Sequence, residues 1–272
     1  MINIQNLIDK IYFLWQNGKD LETKFAAYQG YKQDSIIKWK NQTGLPWSIV
    51  FKVLHNFEIY TGPKIRSTIR QIVYDYESVF SKENCFITGF GNAGKSGDII
   101  LYDFSHTIEV DQRKVKKTWE LNSLPSGSTI IFVEDIIGTG TQSVDYIQNK
   151  INQLILPSHE PFLLSLCATP QGIKNVTDNT NFQVLPGIIL EEESQHYSDK
   201  SNIFTSREKE KVKAVNAKLK KAGTFDFDLG LMLAFYFTIP NNSMPIFWKE
   251  GYPYIDAHGN KKEWEALLPR KF

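Results

Sequence analysis

The spacing of apolar positions along the chain changes near Lys82. Before that point apolar residues recur every three or four positions, the helical period. "IQNLIDKIYFLW" puts Ile4, Leu7, Ile8, Ile11 and Tyr12 on one face. "SIIKWKNQTGLPWSIVFKVLHNF" reads as two short helices parted by Gly44-Leu45-Pro46. "GPKIRSTIRQIVYDYESVF" opens a further helix near Pro63, with Ile65, Ile69, Val73 and Tyr76 on its stripe. After Lys82 come short runs rich in β-branched and aromatic residues: "CFITGF", "DIILYDF", "HTIEV", "STIIFVED", "PFLLSLCA", "FQVLPGIIL" and "LGLMLAFYFTI". Several are too continuous to be half-exposed strands and fit a sheet buried on both faces. "SVDYIQNKINQLI" lies between two of them, with Val144, Ile147, Ile151 and Leu154 on a helical stripe. "TSREKEKVKAVNAKLKK" opens at Thr205 or Ser206 as another helix, with Val212, Val215 and Leu219 as its narrow apolar face.

Strand, helix, strand in succession predicts an α/β fold with a mainly parallel sheet flanked by helices, preceded by an N-terminal helical region. The boundaries expected are a helical region over 1–80, open to a docking or winged-helix-like role, an α/β core over 81–239, and an irregular C-terminal segment over 240–272.

Composition narrows the class. With 272 residues, 42% of them hydrophobic, and a net charge of +1, the chain has enough to bury one sizeable core, or a core and a small accessory domain. The near-neutral balance argues against a surface built globally for nucleic acid. No apolar run approaches the roughly 20 residues that span a bilayer. The N-terminus carries an early acid and no small-residue cleavage site, so a cytoplasmic protein with no membrane partner is expected. Cys85 and Cys167 each sit in an apolar run, as small buried hydrophobes of a reducing compartment do.

Two stretches have the makings of a phosphate loop. "GFGNAGKS", residues 89–96, matches the pattern GxxxxGK[ST] literally. That pattern needs a helix after the serine, because the cradle is made of amides at a helix N-terminus. Here Gly97 and the β-like "DIILYDFSHT" follow, which counts against a nucleotide-hydrolysing P-loop using Lys95, although "IIFVED" offers the strand and acid such an enzyme uses for Mg²⁺. The second stretch is "TIIFVEDIIGTGTQSVDYI". A strand ends in Glu134 and Asp135, a loop holds Gly138, Thr139, Gly140 and Thr141, and a helix begins near Ser143. Glycines let backbone approach an anion, hydroxyls and amides donate to it, and the acids before the loop would accept from the hydroxyls of an attached pentose.

"FVEDIIGTGTQ" resembles the ribose-phosphate fingerprint of the type I phosphoribosyltransferases, in which a strand leads into two acids, two apolar residues and a turn of threonine and glycine. The resemblance implies a phosphoribosyltransferase-like core. In it Glu134 and Asp135 would bind the ribose hydroxyls of phosphoribosyl pyrophosphate, and Gly138, Thr139, Gly140, Thr141 and Gln142 its 5′-phosphate. The family turn commonly reads Thr-Thr-Gly-Gly-Thr, and this chain departs from it. "CATPQGIKNVTDNTNFQVLPGIILEEE" is similar to the next strand and base-side region of uracil-type members, which would place Thr169, Pro170 and Gly172 towards the base. The pyrophosphate leaving group would fall to "CFITGFGNAGKSG", with Gly94, Lys95, Ser96 and Gly97 as its loop: Gly91, Gly94 and Gly97 would open backbone N–H groups and Lys95 would supply a point charge.

The resemblance further implies Mg²⁺, bridging pyrophosphate and ribose hydroxyls without direct protein ligands, and catalysis through Glu134, Asp135 and Lys95. Together with "GKSG" and "LGLMLAFYFTIPNNSMPIFW" it suggests a subgroup found in bacterial defence and retron operons, with a reverse transcriptase or msDNA as possible partner. A second reading keeps the pocket as a non-catalytic nucleotide sensor, with the N-terminal helices and the basic helix holding a protein or nucleic acid; a third is the NTPase.

The other polar features have plainer readings. "EEES", Glu191 to Ser194, reads as a solvated turn. His55, His106, His159, His196 and His258 lack ligand spacing, though His196 is expected near a base pocket. The charges of "REKEKVKAVNAKLKK" suit a solvated helix face more than a nucleic-acid stripe, and "MPIFW" and Trp264 suit packing.

Overall fold

The computed structural model describes residues 4–15, 17–219, 228–255 and 259–270; the side chains of Ile4 and Leu7, and all of Lys220, Lys221 and His258, lie outside the described residues. In chain order come α1 (Ile4–Trp15), α2 (Gly18–Phe25), α3 (Ser35–Thr43), α4 (Trp47–Asn56), β1 (Glu58–Tyr60), α5 (Gly62–Asp75), α6 (Glu77–Phe80), β2 (Cys85–Gly89), α7 (Ser96–Thr107), β3 (Thr129–Ile137), α8 (Thr141–Asn149), β4 (Glu160–Ala168), α9 (Pro170–Asn179) and β5 (Gln183–Ile189). Then follow α10 (Ser206–Ala217), β6 (Leu233–Phe235), α11 (Pro245–Trp248), β7 (Pro253–Ile255) and β8 (Lys261–Glu263). Two compact units result, one of Met1–Thr61 with Glu192–Phe272 and one of Gly62–Glu191. The boundaries fall elsewhere than at 80/81 and 239/240, because both ends of the chain enter one core.

That terminal unit buries Trp39, Val50, Leu54 and Phe57 from the first helices with Val212, Met244, Ile246, Phe247, Trp264 and Leu268 from the last part of the chain. β1 and β6 pair in parallel, Ile59 opposite Ala234. Trp39 stacks on Phe247 at 5.3 Å and donates its indole N–H to Ile246 O at 2.7 Å. The C-terminal segment is thus core of this unit, and "MPIFW" packs as expected. Two sequence readings change here. Among the described side chains of α1, Ile8 and Ile11 are exposed and Phe13 is buried, stacking on Trp47 and Phe51. His196 is buried against Ser201 and Phe204, its Nδ1 3.0 Å from Ser201 Oγ, where burial holds its imidazole down at about 4. It is a packed group of this unit.

α10 opens with the expected capping box: Thr205 Oγ1 accepts from Glu208 N while Glu208 accepts from Thr205 N. The run is less solvated than its charges suggested, since Lys209 is buried and donates to Ser198 O. Glu192 in the acid turn pairs with Lys200 at 2.7 Å.

The second unit carries a four-stranded parallel sheet in the order β2-β3-β4-β5. Ile130, Phe132, Leu163 and Phe182 meet α8 and α9 through Ile147 and Val176 on one face. On the other, α5 packs on α7 and β5, and α7 lies against β2 and β3. The crossovers explain this division. After α7 the chain adds an extended position beyond β2, where Val115 bridges Ile87 in parallel, whereas β3, β4 and β5 progress the opposite way through α8 and α9. Right-handed crossovers in opposite directions put helices on opposite faces. The direction reverses between β2 and β3, and in open α/β sheets the crevice beyond the strand ends at such a reversal is where ligands bind.

"DIILYDF" and "HTIEV" are not strands. Residues 96–107 form α7 and 108–111 turn away from it. Gly97, Ile100, Leu101, Phe104 and Ser105, spaced i, i+3, i+4, i+7, i+8, are buried together with Asp103, so tertiary burial of a helical stripe outweighs the β-propensity of the individual residues. "LGLMLAFYFTI" is strand only over Leu233–Phe235. No helix among the described residues is long and apolar enough to cross a membrane.

Candidate ligand site at the ends of β2 and β3

The acid pair lies near the C-terminal end of β3, followed by Ile136 and Ile137. Glu134 is partly buried and Asp135 is 6% exposed. Each carboxylate accepts the amide that follows it: Asp135 N donates to Glu134 Oε1 at 2.9 Å, and Ile136 N donates to Asp135 Oδ1 at 2.8 Å. The register with β4 passes over Asp135 and resumes with Ile136 opposite Cys167 and Ile137 opposite Ala168. Burial, then the neighbouring Asp135, pushes the Glu134 carboxyl well above the ordinary carboxylate range.

The 138–140 loop is held by α9. Thr169 caps that helix: its hydroxyl accepts from Gly172 N at 3.0 Å and donates to Gly138 O at 2.6 Å. Asn175 Nδ2 donates to Thr139 O at 2.9 Å. Gly140 has φ 76°, and a Cβ there would stand 2.7 Å from Gly172 O, so both conformation and space require glycine. Gly172 in turn lies so close to Gly138 O that it has no room for a side chain. α8 begins at Thr141, and its first helical hydrogen bond runs from Val144 N to Gly140 O. The amides of Thr141, Gln142 and Ser143 therefore lie ahead of the helical ladder, at the end where the dipole is positive. Thr139 and Thr141 hydroxyls sit 3.2 Å apart over this turn.

β2 ends beside it. Gly91 and Gly94 take φ 93° and 79°, and α7 starts at Ser96. Gly97 has no room for a Cβ, which would meet Phe90 O and stand 2.9 Å from Val133 O. That contact seats the α7 N-terminus on the strand ends. The helix after Ser96, whose expected absence counted against a P-loop, is present. Lys95 is exposed at the N-cap position. Gly94 N is already taken, donating to Asp98 Oδ2 at 2.6 Å.

The two loops expected from sequence meet at one bond: Ser96 Oγ donates to Glu134 Oε1 at 2.9 Å. Of the residues singled out, Lys95, Ser96, Glu134, Asp135 and the 138–142 segment lie at the ends of β2 and β3, while Thr169, Pro170 and Gly172 form the α9 end that braces the loop. Sequence reading missed Asp98, which occupies a loop amide, and Tyr146. The Tyr146 ring packs edge-on against Phe90 at 5.0 Å, and burial together with Glu134 and Asp98 raises its phenol. Tyr146 stands on α8 one position before Ile147 of the apolar stripe, so its pattern marked it as helix surface.

The fold overlaps several solved structures at low similarity. A hypothetical protein from Neisseria gonorrhoeae with bound ppGpp aligns at 13% identity and TM-score 0.34, over 50% of this chain and 85% of that one. Orotate phosphoribosyltransferase from Aeropyrum pernix aligns at 12% identity and TM-score 0.33, over 46% and 69%. Leishmania donovani UMP synthase aligns at 18% identity and TM-score 0.36, over 56% of this chain and 32% of its own length. No curated protein matches the sequence. The PRTase-CE family model matches residues 36–270, which take in both units and the whole strand-end site, and the chain belongs to this phosphoribosyltransferase-like family.

Proposed function

We propose that the strand-end site binds phosphoribosyl pyrophosphate or a related ribose-5-phosphate ligand together with Mg²⁺, and that the chain is a pentosyl transferase of phosphoribosyltransferase type. The observation that carries this reading is the Ser96–Glu134 hydrogen bond, which joins an acid pair and two glycine-rich loops at the point where the strand order reverses. A ligand with a phosphate at one end, a diol in the middle and a diphosphate at the other matches that sequence of groups.

Each part has a task in the transfer, in which the bond from the anomeric carbon to pyrophosphate breaks as one to an acceptor forms. The amides of 141–143 and the hydroxyls of Thr139 and Thr141 donate to the 5′-phosphate. Glu134 and Asp135 accept from the ribose hydroxyls and favour the positive charge that develops on the ring. Lys95 meets the departing pyrophosphate as a point charge. Mg²⁺ takes hard oxygen donors, commonly one or two carboxylates with substrate phosphates and waters, and a carboxylate pair beside a diphosphate fits that chemistry. Glu134 and Asp135 would hold it through the ribose hydroxyls, and its contribution is charge neutralisation of the leaving group.

The resemblance of "GKSG" and "LGLMLAFYFTIPNNSMPIFW" extends the proposal to a bacterial defence effector of retron type, cytoplasmic, with a reverse transcriptase or msDNA as partner. Loss of phage protection in a strain carrying the acid-pair double variant tests that extension.

Calorimetric titration with phosphoribosyl pyrophosphate and Mg²⁺ tests the site itself. Binding is expected for the native chain and lost in Glu134→Ala with Asp135→Ala; retained binding in the double variant would remove the reading. Binding with no turnover across bases, nucleosides and protein acceptors would assign the pocket to sensing. The α7 helix directly after Ser96 supports one rival, a P-loop NTPase. ATP hydrolysis abolished by Lys95→Ala yet indifferent to Glu134 and Asp135 would establish it instead.

A further inference from the structure

In a phosphate loop the hydroxyl that follows the lysine is expected at the ligand. Here that hydroxyl is hydrogen-bonded to the acid pair. Ser96 is the first residue of α7, partly buried, and its Oγ lies 2.9 Å from Glu134 Oε1 on the neighbouring strand. The same oxygen accepts Asp135 N at 2.9 Å. Two donors from two elements, Ser96 on α7 and the Asp135 amide on β3, fix the rotation of one carboxyl. α7 is itself rigidly seated, because Gly97 packs against Phe90 and Val133 backbone without room for a single added carbon.

We propose that Ser96 is a positioning residue: it acts on the ligand through Glu134, orienting the acid for the ribose and tying the 91–97 loop to the acid pair. This rests on the ribose-phosphate reading for its consequence, though the Ser96–Glu134 contact is independent of it. The titratable groups around Glu134 are Asp135 beside it on β3 and Tyr146 on α8, whose phenol also faces Asp98 on α7. Burial and Asp135 favour the neutral acid, whereas the hydrogen bonds from Asp135 N and Ser96 favour the anion. Removing the Ser96 donor therefore moves the Glu134 titration upward, an effect that loss of a direct phosphate contact would not produce.

The experiment uses the full chain as native protein, Ser96→Ala and Ser96→Thr. In the ligand-free state the Glu134 side-chain carboxyl carbon is followed by NMR across its titration, and affinity for phosphoribosyl pyrophosphate with Mg²⁺ is measured over the same pH range. Ser96→Ala is expected to raise the Glu134 midpoint and weaken binding about tenfold, the usual scale for losing one hydrogen bond to a charged group. Ser96→Thr, which keeps the hydroxyl, is expected to restore both, and this guards against a variant that merely packs badly. Weaker binding with an unmoved Glu134 midpoint would overturn the proposal and make Ser96 a direct ligand contact. An unmoved midpoint with unchanged binding, or failure of threonine to restore either, would overturn it as well. If the native chain binds no phosphoribosyl pyrophosphate, the proposed function fails on its own, and the carboxyl titration still decides the role of Ser96.

Discussion

In the loop after β3, a Cβ on Gly140 would stand 2.7 Å from Gly172 O, and Thr169 and Asn175 both hydrogen-bond to its backbone. In the loop after β2, Cβ atoms on Gly91 and Gly94 would meet nothing within 4 Å, and the lysine at its end is exposed. Both loops are glycine-rich, both lead into a helix N-terminus, and both end parallel strands. One is clamped by a third element and the other is held by its own helix cap, Asp98 on Gly94 N. Under the proposed function, the difference suits a division of labour in which the clamped loop takes the 5′-phosphate and the less packed loop takes the group that must leave. The lesson is that glycine count does not distinguish the two loops: Gly140 needs glycine for lack of space as well as for its φ, Gly91 and Gly94 for their φ alone.

Substitutions can break this contrast. Gly172→Ala forces a methyl against Gly138 O and should cost about 3 kcal/mol, the upper part of the usual range for overpacking. Urea unfolding reads it as a lower midpoint at unchanged slope, and native stability in this variant would end the claim that the β3 loop is sterically clamped. Thr169→Val removes both bonds of a fully buried hydroxyl and should cost about 2 kcal/mol. Gly94→Ala meets no steric obstacle and pays only for a left-handed backbone at φ 79°, about 1 kcal/mol. A larger loss there would mean that the β2 loop is packed as tightly as its neighbour. Lys95→Ala should leave stability within about 0.5 kcal/mol, as exposed substitutions do, while weakening binding of the diphosphate ligand. Calorimetry on the folded variant separates the two effects, and unchanged affinity would take Lys95 out of the site.

Some of this was legible without coordinates. β3 and β4 could be read because strands buried on both faces are continuous apolar runs, and "STIIFVED" and "PFLLSLCA" fall within or close to them. The α8 cradle could be read because strand, acids, glycines and helix follow one another locally. α7 was misread although its stripe was in the sequence: Ile99, Ile100 and Tyr102 favour strand individually, and only the spacing of Gly97, Ile100, Leu101 and Phe104 says helix. Asp98 gave no signal, since one acid in a first turn is ordinary capping until Gly94 N is seen to be its partner.

By itself the sequence determined the local devices: the parallel α/β core, the acid pair at the end of β3, the glycines of both loops and the capped helices. Each rests on contacts within a few residues, or on a period that burial imposes. Only the tertiary structure decided that α10 and the C-terminal segment share a core with the first four helices, that α9 braces the 138–140 loop, and that Ser96 reaches Glu134 across thirty-eight positions. Those are pairings between distant segments, fixed by the order in which strands join the sheet and by the face each helix covers. No local propensity encodes them, because many arrangements of the same helices and strands satisfy the same local rules.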